Sequence, residues 1–282
     1  MKRLILSTLC LLASLTLLAQ GKVSTRSYRL ADFTDKVTKV VLSGDEFLNS
    51  ALRQEVVNRW TASPFEFCTL EEFDALKLQE DYYFLIPAAT RFKGEPEAGI
   101  VFLSLLKGGP EAAGGMSEMY EVLTLPLVPA DGGNGRELVF TGALIKAIQD
   151  FTLAAMESEK VAYSRDGWFN GNYAARGKMM QIYMAREDLA VSLDLAQTEP
   201  LLDEDFHICD AEEADIRFLS REYNTLVSYT VSPVDPSRAS YSYQLLFESG
   251  TETLFYLTRH RIRPKSPAGF LPDDMKWLLK RR

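Results

Sequence analysis

The spacing of apolar residues changes repeatedly along this chain, and each change predicts a new element. Residues 37–42 (Val-Thr-Lys-Val-Val-Leu) are rich in β-branched side chains, as a strand requires, and Ser43, Gly44 and Asp45 break the run. Phe47, Leu48, Ala51, Leu52, Val56 and Trp60 then recur near helical spacing, which predicts a helix over 46–59 laid on a sheet. Pro64 bars its continuation, and 65–68 alternates as a short strand. Thr69 followed three residues later by Glu72 is a capping box that opens a second helix, running to about residue 78. Strands follow at 82–86, 99–106 and 120–128, the last ending at a sheet edge because Pro126 has no N–H to give a ladder. A long helix over 136–159, with Leu138, Leu144, Ile145, Ile148, Phe151 and Met156 as core candidates, closes a β-α-β-α-β-β-β-α unit.

The same order then recurs with different side chains. Strands are expected at 179–184, 206–209, 225–231, 240–247 and 253–262, a shorter first helix at 188–195, and a truncated closing helix at 273–280 begun near Pro272. Asp210 takes the N-cap place of Thr69, and Glu213 that of Glu72. Shifted by 141 positions (206 − 65), residues 65–109 fall without a gap on 206–250. Eleven pairs are then identical: Phe65/Phe206, Cys68/Cys209, Glu71/Glu212, Glu72/Glu213, Asp74/Asp215, Leu78/Leu219, Tyr82/Tyr223, Leu85/Leu226, Ala98/Ala239, Leu105/Leu246 and Gly109/Gly250. Chance at average composition supplies about three. The expected fold is therefore α/β with mixed sheets, a tandem duplication in two domains, 28–160 and 161–282, joined by a linker at about 160–177.

The strand at 100–106 is apolar on both faces apart from Ser104, whereas 240–247 sets Tyr241, Tyr243, Leu245 and Phe247 against Ser240, Ser242 and Gln244. A two-sided apolar strand is covered on both faces and an alternating one leaves a face wet. The long helix is thus expected to cover a face in the first unit that stays partly open, as a contact surface, in the second.

The chain opens with Lys2 and Arg3, an apolar run over 4–18, and Ala19 before Gln20, the pattern of a cleaved secretory signal over 1–19. That run is short for a membrane anchor, and Leu9 rules out Cys10 as a lipid-attachment cysteine of the usual bacterial kind. Cleavage leaves 263 residues (282 − 19) with 29 basic and 39 acidic side chains, a formal charge of −10 and no further membrane span expected. Such a balance excludes a nucleic-acid partner. Lys276, Lys280, Arg281 and Arg282 form a basic tail that complements a helix dipole.

The strings Val41-Leu42-Ser43-Gly44-Asp45, Ser63-Pro64-Phe65-Glu66-Phe67-Cys68 and Asp81-Tyr82-Tyr83-Phe84-Leu85 resemble those of signal-bearing envelope proteins of Bacteroidetes-type bacteria, a likeness that covers both units and implies no activity. The element order is also similar to periplasmic α/β domains of the Tol system and the curli-export pore. That second likeness implies a fold and an envelope setting only.

Candidate chemistry thins out on inspection. Cys68 and Cys209 stand at equivalent strand ends, each before a helix N-cap, which suits separate buried thiols better than a disulfide. A helix N-terminus can also activate a thiol. His207 and His260 are too few for a metal site, and the Glu71-Glu72 and Glu212-Glu213 pairs belong to first helical turns, where capping accounts for them. Residues 171–178 have the wrong spacing for a phosphate loop, and Met179 stands where Ser or Thr would hold magnesium. No catalytic, cofactor or metal residues are expected. The aromatic residues Trp168, Phe169 and Tyr173, set among Gly167, Asn170, Gly171 and Asn172, are candidates for a partner-binding hot spot, or for packing into the seam between the units. These readings converge on a periplasmic or secreted binding or scaffold module whose partner is an envelope protein or glycan. The alternative is an enzyme with a site in the cleft between the units.

Overall fold

The computed structural model of the chain describes residues 22–23, 30–191, 193, 202 and 204–280. The expected leader lies outside them, as does part of the helix expected over 188–195.

A two-residue strand β1 (Lys22–Val23) comes first. β2 (Val37–Val41), α1 (Glu46–Arg59), β3 (Phe65–Cys68), α2 (Leu70–Leu76), β4 (Tyr82–Thr90), β5 (Ile100–Lys107), β6 (Tyr120–Pro129) and α3 (Arg136–Glu157) then follow the predicted order. Two helices, α4 (Glu159–Ser164) and α5 (Asp166–Arg176), occupy the expected linker. The second half consists of β7 (Gln181–Ala185), β8 (Phe206–Cys209), α6 (Ala211–Leu219), β9 (Thr225–Val231), β10 (Tyr241–Glu248), β11 (Leu254–Arg261) and α7 (Pro272–Lys280). Of the helix expected over 188–195, residues 188–191 and 193 are described and are not α-helical: a 3-10 turn, Arg186–Asp188, ends there and Leu189 forms a bridge to Phe270 instead.

The fold is mixed α/β, with a mixed sheet in each half. The sheets run β1-β6-β5-β4-β2-β3 and β11-β10-β9-β7-β8. Leaving β1 aside, the orders coincide position for position, with two antiparallel pairs followed by parallel strands. A β-bulge interrupts β5 at Leu105/Leu106 and β10 at Leu246/Phe247, again 141 residues apart. The gapless alignment nonetheless slips in one place. Tyr83 pairs with Thr38 and Lys107, and Leu226 pairs with Ile182 and Glu248. Leu226 is therefore the counterpart of Tyr83, and the matches Tyr82/Tyr223 and Leu85/Leu226 do not share positions.

α3 is buried nearly all round, from Phe140 through Ala155, and the main buried cluster reaches through it from Leu103 and Leu105 of one sheet to Tyr229 and Phe247 of the other. A helix apolar on every side belongs in such a centre. Among the described residues it alone is long and apolar enough to cross a membrane, and its burial accounts for that composition. Gly142 lets α1 approach, since a Cβ there would fall 2.7 Å from the Arg59 guanidinium carbon. Arg59 in turn crosses to the second half and holds Glu252 through Nε at 2.9 Å and Nη2 at 2.8 Å.

The wet face expected on β10 is not there. Ser242 and Gln244 are wholly buried, Gln244 Nε2 donating to Ser242 Oγ at 2.7 Å, which also accepts from the Gly269 N–H at 3.0 Å. The chain's own C-terminal segment, with Phe270, Met275 and Leu278, joins Tyr173 of α5 over that face. The polar alternation records an internal hydrogen-bonded pair, not solvent, and α3 lies against both sheets.

Candidate functional site: a filled pocket and its open counterpart

On the face of the second sheet that carries α6, the first turns of α3 enter as a plug. Arg136 donates from Nη1 to Asp188 Oδ1, from Nε to Asp215 Oδ1, both at 2.9 Å, and from Nη2 to the Ser228 carbonyl at 3.0 Å. Asp188 Oδ2 also accepts from Ser228 Oγ at 2.6 Å, and its Oδ1 from the Thr230 N–H at 3.1 Å. Burial works against the Arg136 charge, yet the two carboxylates outweigh it and raise the pKa, while burial lifts that of Asp215 despite Arg136. One turn on, the Phe140 ring stacks on Tyr229 at 4.6 Å and meets Phe218 at 4.6 Å and Phe247 at 5.6 Å.

Strand register sets Tyr229 and Thr230 at the positions of Ile86 and Pro87, and Ser228 and Phe247 at those of Leu85 and Leu106. The 141-residue alignment sets Asp215 and Phe218 at Asp74 and Lys77, and continuing from the equivalent strand ends Val41 and Ala185 brings Asp188 to Gly44. Of these first-half residues Gly44, Asp74, Lys77, Ile86 and Pro87 line one groove of about 590 Å³, while Leu85 and Leu106 do not. Where the second half holds a plug, the first half has an opening.

The groove is floored by Ile86 and Ala88 of β4, walled by Phe73 of α2 and Leu48 of α1, and closed at one end by Val128 and Pro129. Two large apolar side chains stand at its mouth in solvent, Phe47 at 81% and Leu138 at 41% exposure. Both had a place in predicted apolar stripes, and Leu138 was a core candidate. The rim carries Asp45, Asp74 and Glu137 against a single ammonium, Lys77, which pairs with Asp74 at 2.7 Å. Asp45 also caps α1, accepting from the Phe47 and Leu48 N–H groups. The arrangement can bury an apolar surface and hold a cation beside it.

The residues singled out by sequence lie elsewhere. Phe169 and Tyr173 are buried within α5, Phe169 at 5.9 Å from Phe151 and Tyr173 at 5.5 Å from Trp277, with the Tyr173 hydroxyl donating to the Leu278 carbonyl. Trp168 is half-buried, 5.7 Å from Phe151. Trp168 and Phe169 thus pack on α3, Tyr173 packs within the second half, and the three form no exposed patch. Cys68 and Cys209 are both free and buried, and burial pushes each thiol up to about 11. His207 stacks on the Tyr183 ring at 4.7 Å and His260 bonds the Pro267 carbonyl through Nε2 at 2.8 Å. Glu72 completes the capping box with Thr69, and Asp210 accepts from the Glu213 N–H at 2.8 Å. Among the described residues no group of three or more potential metal ligands occurs.

Sequence alone pointed at differences between the halves without locating this one. Phe47 fell in the predicted apolar stripe with Ala51, and nothing in that pattern marked it as exposed. No family model, curated protein or solved structure matches the chain.

Proposed function

We propose that the protein is an exported, non-catalytic binding module of the cell envelope, formed by tandem duplication, whose first half holds a helix of a protein partner in the groove that its second half fills with α3. Identities retained in β3, α2 and β5, the common strand order and the equivalent bulges support the duplication. Export rests on the signal pattern of the first nineteen residues. The observation that carries the binding role is the pairing of a filled pocket with an open one on equivalent surfaces. A partner helix entering as α3 does brings a cation toward Asp74 and an aromatic ring one turn later between α2 and β4, the spacing of helix-in-groove recognition. An apolar floor with an acidic rim suits such a helix better than a glycan.

The chain supplies its own probe. A fluorescein-labelled peptide of residues 134–150, titrated with the full-length protein, is expected to bind with a Kd of about micromolar order. Arg136→Glu or Phe140→Ala in the peptide, and Phe47→Asp in the protein, should each weaken binding by about tenfold or more, as loss of a central anchor does. Phe47 is exposed, so its replacement leaves the fold intact. Absence of binding up to about 1 mM, or binding indifferent to all three changes, would refute the reading.

A further inference from the structure

A second concavity, of about 440 Å³, opens where the two sheets meet and has the size of a small-molecule site. Its aromatic wall is contributed by both halves. Phe92 lies 6.1 Å from Phe102 and 4.9 Å from Tyr241, and Phe102 lies 5.3 Å from Tyr243. Arg259 spans Tyr241 and Tyr243, its guanidinium carbon 5.4 and 5.9 Å from their ring centres, and donates to the Tyr243 hydroxyl at 3.1 Å. Among the described residues no carboxylate lies within ion-pair distance of Arg259.

Two polar atoms of residues in this lining are unsatisfied; both are closed to solvent, so a ligand reaches them only as the side chains turn inward. Thr90 is 2% exposed and its Oγ1 has no partner. Arg165 donates through Nη2 to the buried Glu121 carboxylate, yet its Nε is also unpartnered. Arg165 further adopts φ 42°, the left-handed region, at the junction of α4 and α5. Buried polar groups are almost always paired, and a non-glycine residue in that conformation is held there against its preference. Both features are explained if a ligand completes them.

We infer that this cavity binds a planar aromatic monocarboxylate bearing a hydroxyl group. The carboxylate sits at the mouth on Arg259 and Arg165 Nε, the ring lies against Phe92, Phe102 and Tyr243, and the hydroxyl reaches Thr90 Oγ1 at the floor. A single charge is favoured because Glu121 and the exposed Asp166 also line the site and repel a dianion. Guanidinium geometry matches a carboxylate in two parallel hydrogen bonds. The site is separate from the groove, so it stands or falls independently of the partner helix.

The probe is 4-hydroxybenzoate, followed by saturation-transfer NMR and calorimetry on the full-length protein. It should bind about tenfold more tightly than 4-hydroxybenzamide, and Arg259→Gln should erase that difference. Thr90→Val should weaken 4-hydroxybenzoate while leaving benzoate unchanged. The same substitution should leave the melting temperature unchanged or raise it, since an isosteric swap removes an unsatisfied buried hydroxyl. No transfer at about 5 mM, equal binding of acid and amide, tighter binding of 4-hydroxyphenyl phosphate, or an Arg259→Gln variant that binds as well as the parent would each overturn the assignment.

Discussion

At the scale of single residues, locally determined features were legible and long-range ones were not. Thr69, Glu72 and Asp210 could be assigned as caps because a helix N-terminus needs acceptors within three residues. The Arg136–Asp188–Asp215 network could not, since its members stand 52 and 79 residues apart and only the fold joins them. That network makes a sharp demand. Arg136→Met leaves two carboxylates without their cation, one of them fully buried, and should destabilise the protein by about 3–5 kcal/mol in urea unfolding. The cysteines yield a pH prediction. Burial lifts both thiols from 9.0 to about 11 in the folded state, so the thiolate is disfavoured there relative to the unfolded chain. Their contribution to stability is full below pH 9 and is lost as pH rises from about 9 toward 11. Maleimide labelling of the native protein at neutral pH should accordingly be slow at both sites and fast after unfolding. Rapid native labelling of either would show a thiolate stabilised by its helix N-terminus instead.

Most elements declared themselves through period and punctuation, and the exceptions have a physical cause. The segment at 160–177 reads as a linker because Gly167, Asn170, Gly171 and Asn172 are poor helix formers. It is helical as α5 because those asparagines serve another element. Asn170 Nδ2 donates to the Leu257 carbonyl at 3.0 Å, its Oδ1 accepts from the Leu257 N–H at 2.8 Å, and Asn172 Nδ2 donates to the Leu254 carbonyl at 3.0 Å. β11 is the outer strand of its sheet, and these side chains satisfy backbone groups that a further strand would otherwise take up. Propensity was overridden by an edge that needed capping. Asn170→Ala should cost about 1–3 kcal/mol and accelerate hydrogen exchange at the Leu257 amide. If exchange there is unchanged, the clamp is incidental. The strand at 240–247 is present, but the wet face inferred for it is not, for a related reason: alternation reveals which residues are polar, not whether the chain will return to bury them.

For the whole molecule, the halves are bound by Arg59–Glu252, by Arg136 with its two aspartates, and by the Tyr229 hydroxyl donating to the Leu127 carbonyl at 2.6 Å. α3 closes the first half and plugs the second, so one helix does for both what no helix among the described residues does for the groove in front. Element order was readable from the sequence in the first half and from β8 onward in the second, whereas this asymmetry was not, because it depends on where one helix points after folding. Hydrogen exchange of the full-length protein, with and without the 134–150 peptide, tests the claim most directly. Binding as proposed slows exchange at 43–48, 70–77 and 130–138 around the groove and leaves the α6 face unchanged. Uniform rates on addition of saturating peptide, or protection confined to the second half, would contradict it.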